Sequence, residues 1–90
     1  MVVAVRFPIK VRAAQVASVR FLRVDLRLGR TFLALALTQQ TTAARARLYA
    51  KAQAAHDAVV RLLTLMPVTE DERVEIEIEL TSLAQAIDKV

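Results

Sequence analysis

Residues 43–66 decide the fold, and they read AARARLYAKAQAAHDAVVRLLTLM. Apolar side chains recur in this stretch at alternating intervals of four and three positions, at Leu48, Ala52, Ala55, Val59, Leu62 and Met66. That spacing places them on one face of an α-helix, and the many alanines have high helix propensity. Pro67 predicts the end of the helix, because a proline pushes the preceding residue out of helical geometry.

A second helix is predicted over residues 70–89, directly after this proline. Thr69 and Glu72 match a capping box, in which each side chain accepts a backbone N–H at the start of a helix. Apolar residues then follow at helical spacing, at Ile76, Leu80, Leu83, Ile87 and Val90. Residues 74–80 also alternate between apolar and acidic side chains, which is typical of a half-buried strand. The capping box and the continuing helical period favour the helix.

A third helix is predicted upstream, over residues 13–38. Its apolar positions again step by four and three, at Leu22, Leu26, Gly29, Leu33 and Ala36. Asp25 is an alternative N-cap for a shorter helix, but the longer one matches the middle helix, which is about 36 Å long. The linkers 39–42 and 67–68 are short, so successive helices should run antiparallel. We therefore predict an all-α domain over residues 13–90, an up-down-up bundle of three helices.

Residues 1–12 show a different pattern, in which every second residue from Val3 to Val11 is strongly apolar. Alternation predicts a strand, and Pro8 confines such a strand to a sheet edge. No second strand is evident, so we expect a flexible basic segment or an edge strand that pairs with another chain. Residues 1–23 contain no acid, which also fits mistaken translation of a GC-rich region upstream of the native start. Mass spectrometry of the native N-terminus tests that hypothesis.

The composition indicates more apolar surface than a small domain can hide. Of the 90 residues, 56% are hydrophobic, and the mean hydropathy is +0.39. A chain of this length buries only about two-thirds of the surface that its unfolded form exposes. Frequent Ala and Val can explain the excess, because Ala is tolerated on helix surfaces. The alternative is that one apolar face is buried against another chain.

Several classes of protein are excluded or disfavoured by simple counts. The chain has no cysteine, which excludes disulfides, thiol nucleophiles and cysteine zinc sites. The longest uncharged stretch, residues 31–44, is too short and too polar to span a bilayer. Arg6, Lys10 and Arg12 interrupt any apolar centre of a secretory signal. We therefore expect no transmembrane segment and a cytoplasmic location.

No catalytic or metal-binding pattern is visible, and we expect neither an enzyme nor a cofactor. His56 is the only histidine. Its neighbour Asp57 points about 100° away on a helix, so we expect no acid–base pair and place His56 at the border of the packed face. Glu72, Glu75 and Glu79 share a helical face, but no glutamate has a histidine three residues on, as bundle metal sites require. We expect a solvated or ion-paired face.

Charge is distributed unevenly along the chain, whose net charge is +4. The last 24 residues hold seven acids and two bases. In an up-down-up bundle these acids should lie near arginines of the first helix, pairing Glu72, Glu75 and Glu79 with Arg23, Arg27 and Arg30. The remaining bases are the candidate contacts for an acidic partner or nucleic acid, namely Arg45, Arg47 and Lys51 with the arm residues Arg6, Lys10 and Arg12.

Two short motifs within residues 28–67 are similar to the tetratricopeptide repeat. Leu28-Gly29-x-x-Phe32 resembles the signature of its first helix, and Ala55-x-x-x-Val59-x-x-Leu62 followed by Pro67 resembles its second. Gly29 and Ala55 are 26 positions apart, which is farther than in that repeat, and no second copy is visible. The resemblance implies an antiparallel helical hairpin that contacts other proteins.

We therefore predict a small helical module for protein–protein interaction or self-association. The alternative is an accessory nucleic-acid-binding protein that uses the basic N-terminal arm. A further alternative is association of residues 1–23 with a membrane surface.

Overall fold

The computed structural model describes the backbone of residues 9–89 and the side chains of residues 14–89. Three helices run in sequence, α1 over Ile9–Thr38, α2 over Thr42–Leu63 and α3 over Glu70–Asp88. No strand occurs among residues 9–89. The short connections make neighbouring helices antiparallel, and the predicted all-α three-helix bundle is confirmed.

Helix α1 begins at Ile9, four residues before the predicted start. Residues 9–12, which alternation assigned to a strand or a flexible segment, are therefore helical, while residues 1–8 lie outside the described part of the chain. The physical reason is that helical hydrogen bonds are local, whereas a strand needs a partner strand. Pro8 precedes Ile9 in the sequence, and a proline is tolerated at the start of a helix because the N–H that it lacks would have no helical partner there.

Helix α2 ends at Leu63, three residues earlier than the spacing predicts. The Thr64 hydroxyl donates to the Arg61 carbonyl at 2.8 Å, and the amides of Leu65 and Met66 both donate to the Leu62 carbonyl. These tighter turns replace the last helical turn before Pro67. At its start, α2 is capped by Thr41, whose hydroxyl accepts from the Ala44 amide at 3.2 Å.

Helix α3 begins with the predicted capping box. The Glu72 amide donates to the Thr69 hydroxyl at 3.2 Å, and the Thr69 amide donates to the Glu72 carboxylate at 3.1 Å. Acidic residues fill the first turn, where the helix dipole favours negative charge. Residues 74–80 are helical, so their alternation does not make a strand. It leaves Ile76 and Leu80 in the core and turns Val74 and Ile78 outward.

The core consists of apolar side chains from all three helices. Its buried members are Leu22, Leu26, Leu33, Ala52, Val59, Leu63, Ile76, Leu80 and Leu83. Within residues 14–89 no polar or charged residue is buried. The face of α1 that carries Leu22, Leu26, Gly29, Leu33 and Ala36 is buried as the spacing predicts, and we call it the core seam of α1.

The three helices approach most closely around Gly29 in α1. A Cβ atom at this position would lie 2.9 Å from Cδ2 of Leu83, 3.4 Å from Cβ of Ala55 and 3.6 Å from the backbone oxygen of Ala52. The first of these distances is shorter than carbon–carbon contact allows. Any larger residue at this position therefore requires the Leu83 side chain to move, whereas the Gly29 backbone is ordinary helix with no positive φ.

Gly29→Val should destabilise the bundle by about 1–3 kcal/mol, because the added atoms overpack a site with no room for Cβ. Urea unfolding followed by circular dichroism measures the loss. Ala34→Val is the matched control, because Ala34 is exposed on the same helix. This substitution should cost only the difference in helix propensity between Ala and Val, under about 0.7 kcal/mol. Equal effects of the two substitutions would contradict the close approach.

Thr69→Ala should destabilise the protein by about 1 kcal/mol, because it removes the N-cap hydroxyl of α3. Thr81→Ala is the matched control within the same helix, where the hydroxyl only donates to the Glu77 carbonyl. That change should be neutral or slightly stabilising, since Ala is the better helix former. Thermal unfolding of both variants measures the difference, and a larger loss for Thr81→Ala would refute the assignment.

Candidate interaction surface

A second apolar stripe runs along α1, outside the core. Four large side chains in it remain about half exposed, Phe21 at 48%, Val24 at 56%, Leu28 at 43% and Leu35 at 45%. Ala17 and Thr31 complete the same spacing, and both are exposed. We call these six residues the outer stripe; its members are Ala17, Phe21, Val24, Leu28, Thr31 and Leu35.

The outer stripe lies nearly opposite the core seam of α1. At about 100° per residue, the centres of the two stripes are about 140° apart around the helix. The core seam packs against α2 and α3, so most of the outer stripe faces away from both, and Leu35 at its end borders a hollow beside Ala44 and Leu48 of α2. Helix α1 therefore has two apolar faces, and the bundle covers only one of them.

The size of the outer stripe is that of a helix-binding face. From Ala17 to Leu35 it extends about 27 Å, and a helix face is about 10 Å wide. The resulting area of about 300 Å² is comparable with the largest apolar patches on monomeric proteins, which are often functional. A long, narrow patch of this kind matches another helix better than a broad, flat surface.

Charged residues border the outer stripe on both sides. Arg20 and Arg27 lie along the edge nearer α3, and Asp25 lies along the edge nearer α2. Among the side chains of residues 14–89, none of the three takes part in an ion pair. Arg20 and Arg27 are exposed and Asp25 is half-buried, so the border is available to a partner.

The sequence predicts pairing between α1 arginines and α3 acids, and the structure shows part of it. Arg23 contacts Glu75 at 2.7 Å and Glu79 at 3.2 Å, as expected. Glu72 caps α3 instead. Of the other two arginines named in that prediction, Arg30 donates to the Ser82 hydroxyl at 3.3 Å, and Arg27 has no ion pair within the described side chains.

The predicted basic patch at the start of α2 is partly occupied by contacts within the chain. Nε of Arg45 donates to the Gln39 carbonyl at 2.7 Å, which ties α2 to the preceding loop. Nζ of Lys51 lies 5.6 Å from the centre of the Phe32 ring, a cation–π contact. Arg47 is exposed and, with Lys51, borders a shallow hollow of about 370 Å³.

Two residues of the basic arm, Lys10 and Arg12, lie at the opposite end of the bundle from the basic patch. Lys10 and Arg12 belong to the first turns of α1, their side chains lie outside the described ones, and Arg6 lies outside the described residues altogether. Because α2 runs antiparallel to α1, its start lies beside the end of α1, about 35 Å from Arg12. The backbone positions of Lys10 and Arg12 therefore lie far from Arg45, Arg47 and Lys51.

His56 and Asp57 form a contact that the sequence analysis excluded. Nδ1 of His56 lies 3.0 Å from Oδ1 of Asp57. Neighbouring Cα–Cβ bonds do diverge on a helix, but rotation about the side-chain bonds brings the two polar atoms together. This hydrogen bond is the largest cause that holds the pKa of the Asp57 carboxyl below its ordinary value, and a hydrogen bond from Gln53 at 2.9 Å is the second. His56 itself is half-buried, at the border of the packed face as predicted.

An open groove of about 550 Å³ lies between α2 and α3. Leu63 and Leu80 contribute apolar surface to it, and its polar residues include His56 and Arg73. Both of these already contact acids on their own helices, His56 with Asp57 and Arg73 with Glu70 at 3.9 Å. The groove has the volume of a small-molecule site, but its two basic groups are engaged locally and its remaining polar residues do not define a ligand.

Metal ligands do not cluster anywhere in the described part of the chain. Of the three helices, none combines the length and the apolarity needed to cross a membrane.

The outer stripe was missed by the sequence analysis because two heptad-like patterns overlap in α1. The pattern at Phe21, Val24, Leu28 and Leu35 is offset by one or two residues from the core seam, and it is the signal that could have identified this face.

Comparison of the chain with protein-family models, curated proteins and solved structures finds no match. The geometry of the described residues is therefore the basis for any statement about function.

Arg23→Gln should cost at most about 1 kcal/mol, because the Arg23 side chain is 38% exposed and the pairs with Glu75 and Glu79 are partly screened by water. The loss should shrink as salt is added. Urea unfolding at low and high salt measures it, and Arg27→Gln is the control that removes a charge but no ion pair. A loss that salt does not change would argue against the ion pairs.

Proposed function

We propose that the chain is a helical protein-interaction module that binds protein surfaces through the outer stripe of α1. The observation that carries the proposal is the second apolar face on one helix, with Phe21, Val24, Leu28 and Leu35 each about half exposed. The bundle buries its own seams without using this face, so the stripe is not needed for the core.

The apolar composition supports the same proposal. Isolated exposed apolar residues are normal on protein surfaces, but a continuous row along one helix is not. Covering about 300 Å² of apolar surface is worth about 7 kcal/mol for each side of a contact, at about 25 cal/mol per Å². Two such faces together offset an association cost of about 4–15 kcal/mol. Two such faces total about 600 Å², less than a standard stable interface, so we expect a weak and reversible association.

Nucleic-acid binding remains the alternative, and exposed Arg20, Arg27 and Arg47 favour it. Two observations stand against it. The backbone of Lys10 and Arg12 lies at the opposite end of the bundle from Arg45 and Lys51, and Arg45 and Lys51 already make contacts within the chain. Electrostatic binding to DNA weakens steeply with salt, whereas apolar association does not. Salt dependence therefore separates the two functions.

Val24→Glu should reduce association of the full chain without unfolding it, because it places a charge in the middle of the outer stripe. Val16→Glu is the matched control, a valine on the same helix that is 52% exposed but outside the stripe. Light scattering at low and high salt, with and without a DNA duplex, measures the molar mass. We expect a salt-resistant assembly that only Val24→Glu weakens.

Other outcomes of this experiment would contradict the proposal. A monomer that binds DNA with a steep salt dependence would assign the chain to nucleic acid. Binding to anionic lipid vesicles that Val24→Glu abolishes would assign the stripe to a membrane surface. Equal behaviour of Val16→Glu and Val24→Glu in every assay would show that the stripe makes no contact.

A further inference from the structure

We infer that the partner of the outer stripe is the same stripe of a second copy of this chain, with the two α1 helices parallel and in register. This inference rests on the proposed function and specifies its partner. It follows from the order of residues around the stripe and from the charges along its two edges.

The outer stripe has the spacing of a coiled-coil seam. Phe21, Leu28 and Leu35 occupy one set of seam positions, called a, and Ala17, Val24 and Thr31 occupy the other, called d. In this register the flanking position e holds Asp25, and the flanking position g holds Arg20 and Arg27. The e and g residues set partner choice and orientation in coiled coils.

A parallel pair brings opposite charges together at these flanks. In a parallel dimer a residue at g lies beside the residue five positions later, at e, in the other chain. Arg20 of each chain then lies beside Asp25 of the other, which gives two equivalent ion pairs. Neither residue has an ion pair among the described side chains of the single chain, so both are available without breaking an existing contact.

An antiparallel pair brings like charges together. Its flanks pair g with g and e with e, so an antiparallel arrangement centred on the stripe places Arg27 beside Arg27 and Asp25 beside Asp25. The alternation of large residues at a with smaller ones at d would suit antiparallel layers. Like charges facing each other across an interface are nevertheless strongly unfavourable, and the flanking charges therefore favour the parallel pair.

The symmetry of the contact also favours a pair of α1 helices. The exposed apolar residues of α3, Val74 and Ile78, lie in an acidic helix and offer an alternative partner for the outer stripe. They continue into Thr81 and Gln85, so that face is shorter than the stripe. A contact between α1 of one chain and α3 of another would be head-to-tail, so each chain could bind a further chain and the assembly would keep growing. A pair of α1 helices instead forms a closed dimer with twofold symmetry.

Charge exchange between two variants tests the inference with the full chain. Arg20→Asp alone and Asp25→Arg alone should each weaken dimerisation about tenfold or more, because each places like charges in both flanking pairs. An equimolar mixture of these two variants should dimerise, since every flanking pair is then opposite in charge. The double variant should recover dimerisation by itself. Arg47→Asp, at an exposed arginine outside α1, is the control and should dimerise like the wild type.

Single cysteines test the orientation, because the chain has no cysteine of its own. Chains with Ala17→Cys should form a disulfide-linked dimer with one another under mild oxidation, since a parallel pair brings the two positions within bonding distance. A mixture of Ala17→Cys and Leu35→Cys chains should form no mixed disulfide, which an antiparallel pair would favour.

The outcomes separate this inference from the proposed function. A mixed disulfide between positions 17 and 35 would overturn the parallel α1 pair. So would an assembly that Val24→Glu disrupts but that neither cysteine pair links. Both outcomes leave the stripe as an interaction surface. A chain that stays monomeric at every concentration overturns the self-pairing. If Val24→Glu also changes nothing in the salt, DNA and vesicle assays, the proposed function fails with it.

Discussion

The absence of a side chain at Gly29 is the constraint on which the rest of the bundle depends. Because nothing projects from this position, α1 comes close to α2 at the backbone oxygen of Ala52 and at Cβ of Ala55, and Leu83 of α3 fills the remaining space. All three helices therefore meet at one point of α1. That contact fixes which side of α1 faces inward, and it directs the opposite side toward solvent.

The consequence is a helix with two apolar faces in a domain that can use only one. Covering Phe21, Val24 and Leu28 as well would require a fourth helix on the far side of α1, and the three described helices cannot supply it. The outer positions of α2 carry mostly small or polar side chains, such as Ala50, Gln53 and Asp57. The outer surface of the bundle therefore differs from helix to helix. Most of the exposed large apolar side chains among residues 14–89 lie on α1, whereas α2 has Val60 and α3 has Val74 and Ile78.

Local rules account for the parts of the structure that the sequence predicts well. Heptad-like spacing locates α2 and α3, and the Thr69–Glu72 pair marks the start of α3, because each depends on residues close together in the chain. The start of α1 at Ile9 was not predicted, because it depends on whether residues 9–12 have a partner strand to pair with. The contact of His56 with Asp57 was not predicted, because it depends on rotation about the side-chain bonds. The outer stripe was hidden for a different reason. Periodicity reveals that a face is apolar, but only the packing around Gly29 shows which of two apolar faces is left uncovered.

The most direct test of the two-faced helix is the solvent accessibility of its methyl groups. Nuclear magnetic resonance with a soluble paramagnetic probe can compare the methyl groups of Leu26, in the core seam, with those of Val24, in the outer stripe, over a series of protein concentrations. The account predicts that Leu26 is shielded at every concentration, whereas Val24 is accessible in dilute solution and becomes shielded as concentration rises. Shielding of Val24 in the dilute monomer, or its full accessibility at every concentration, would contradict the account.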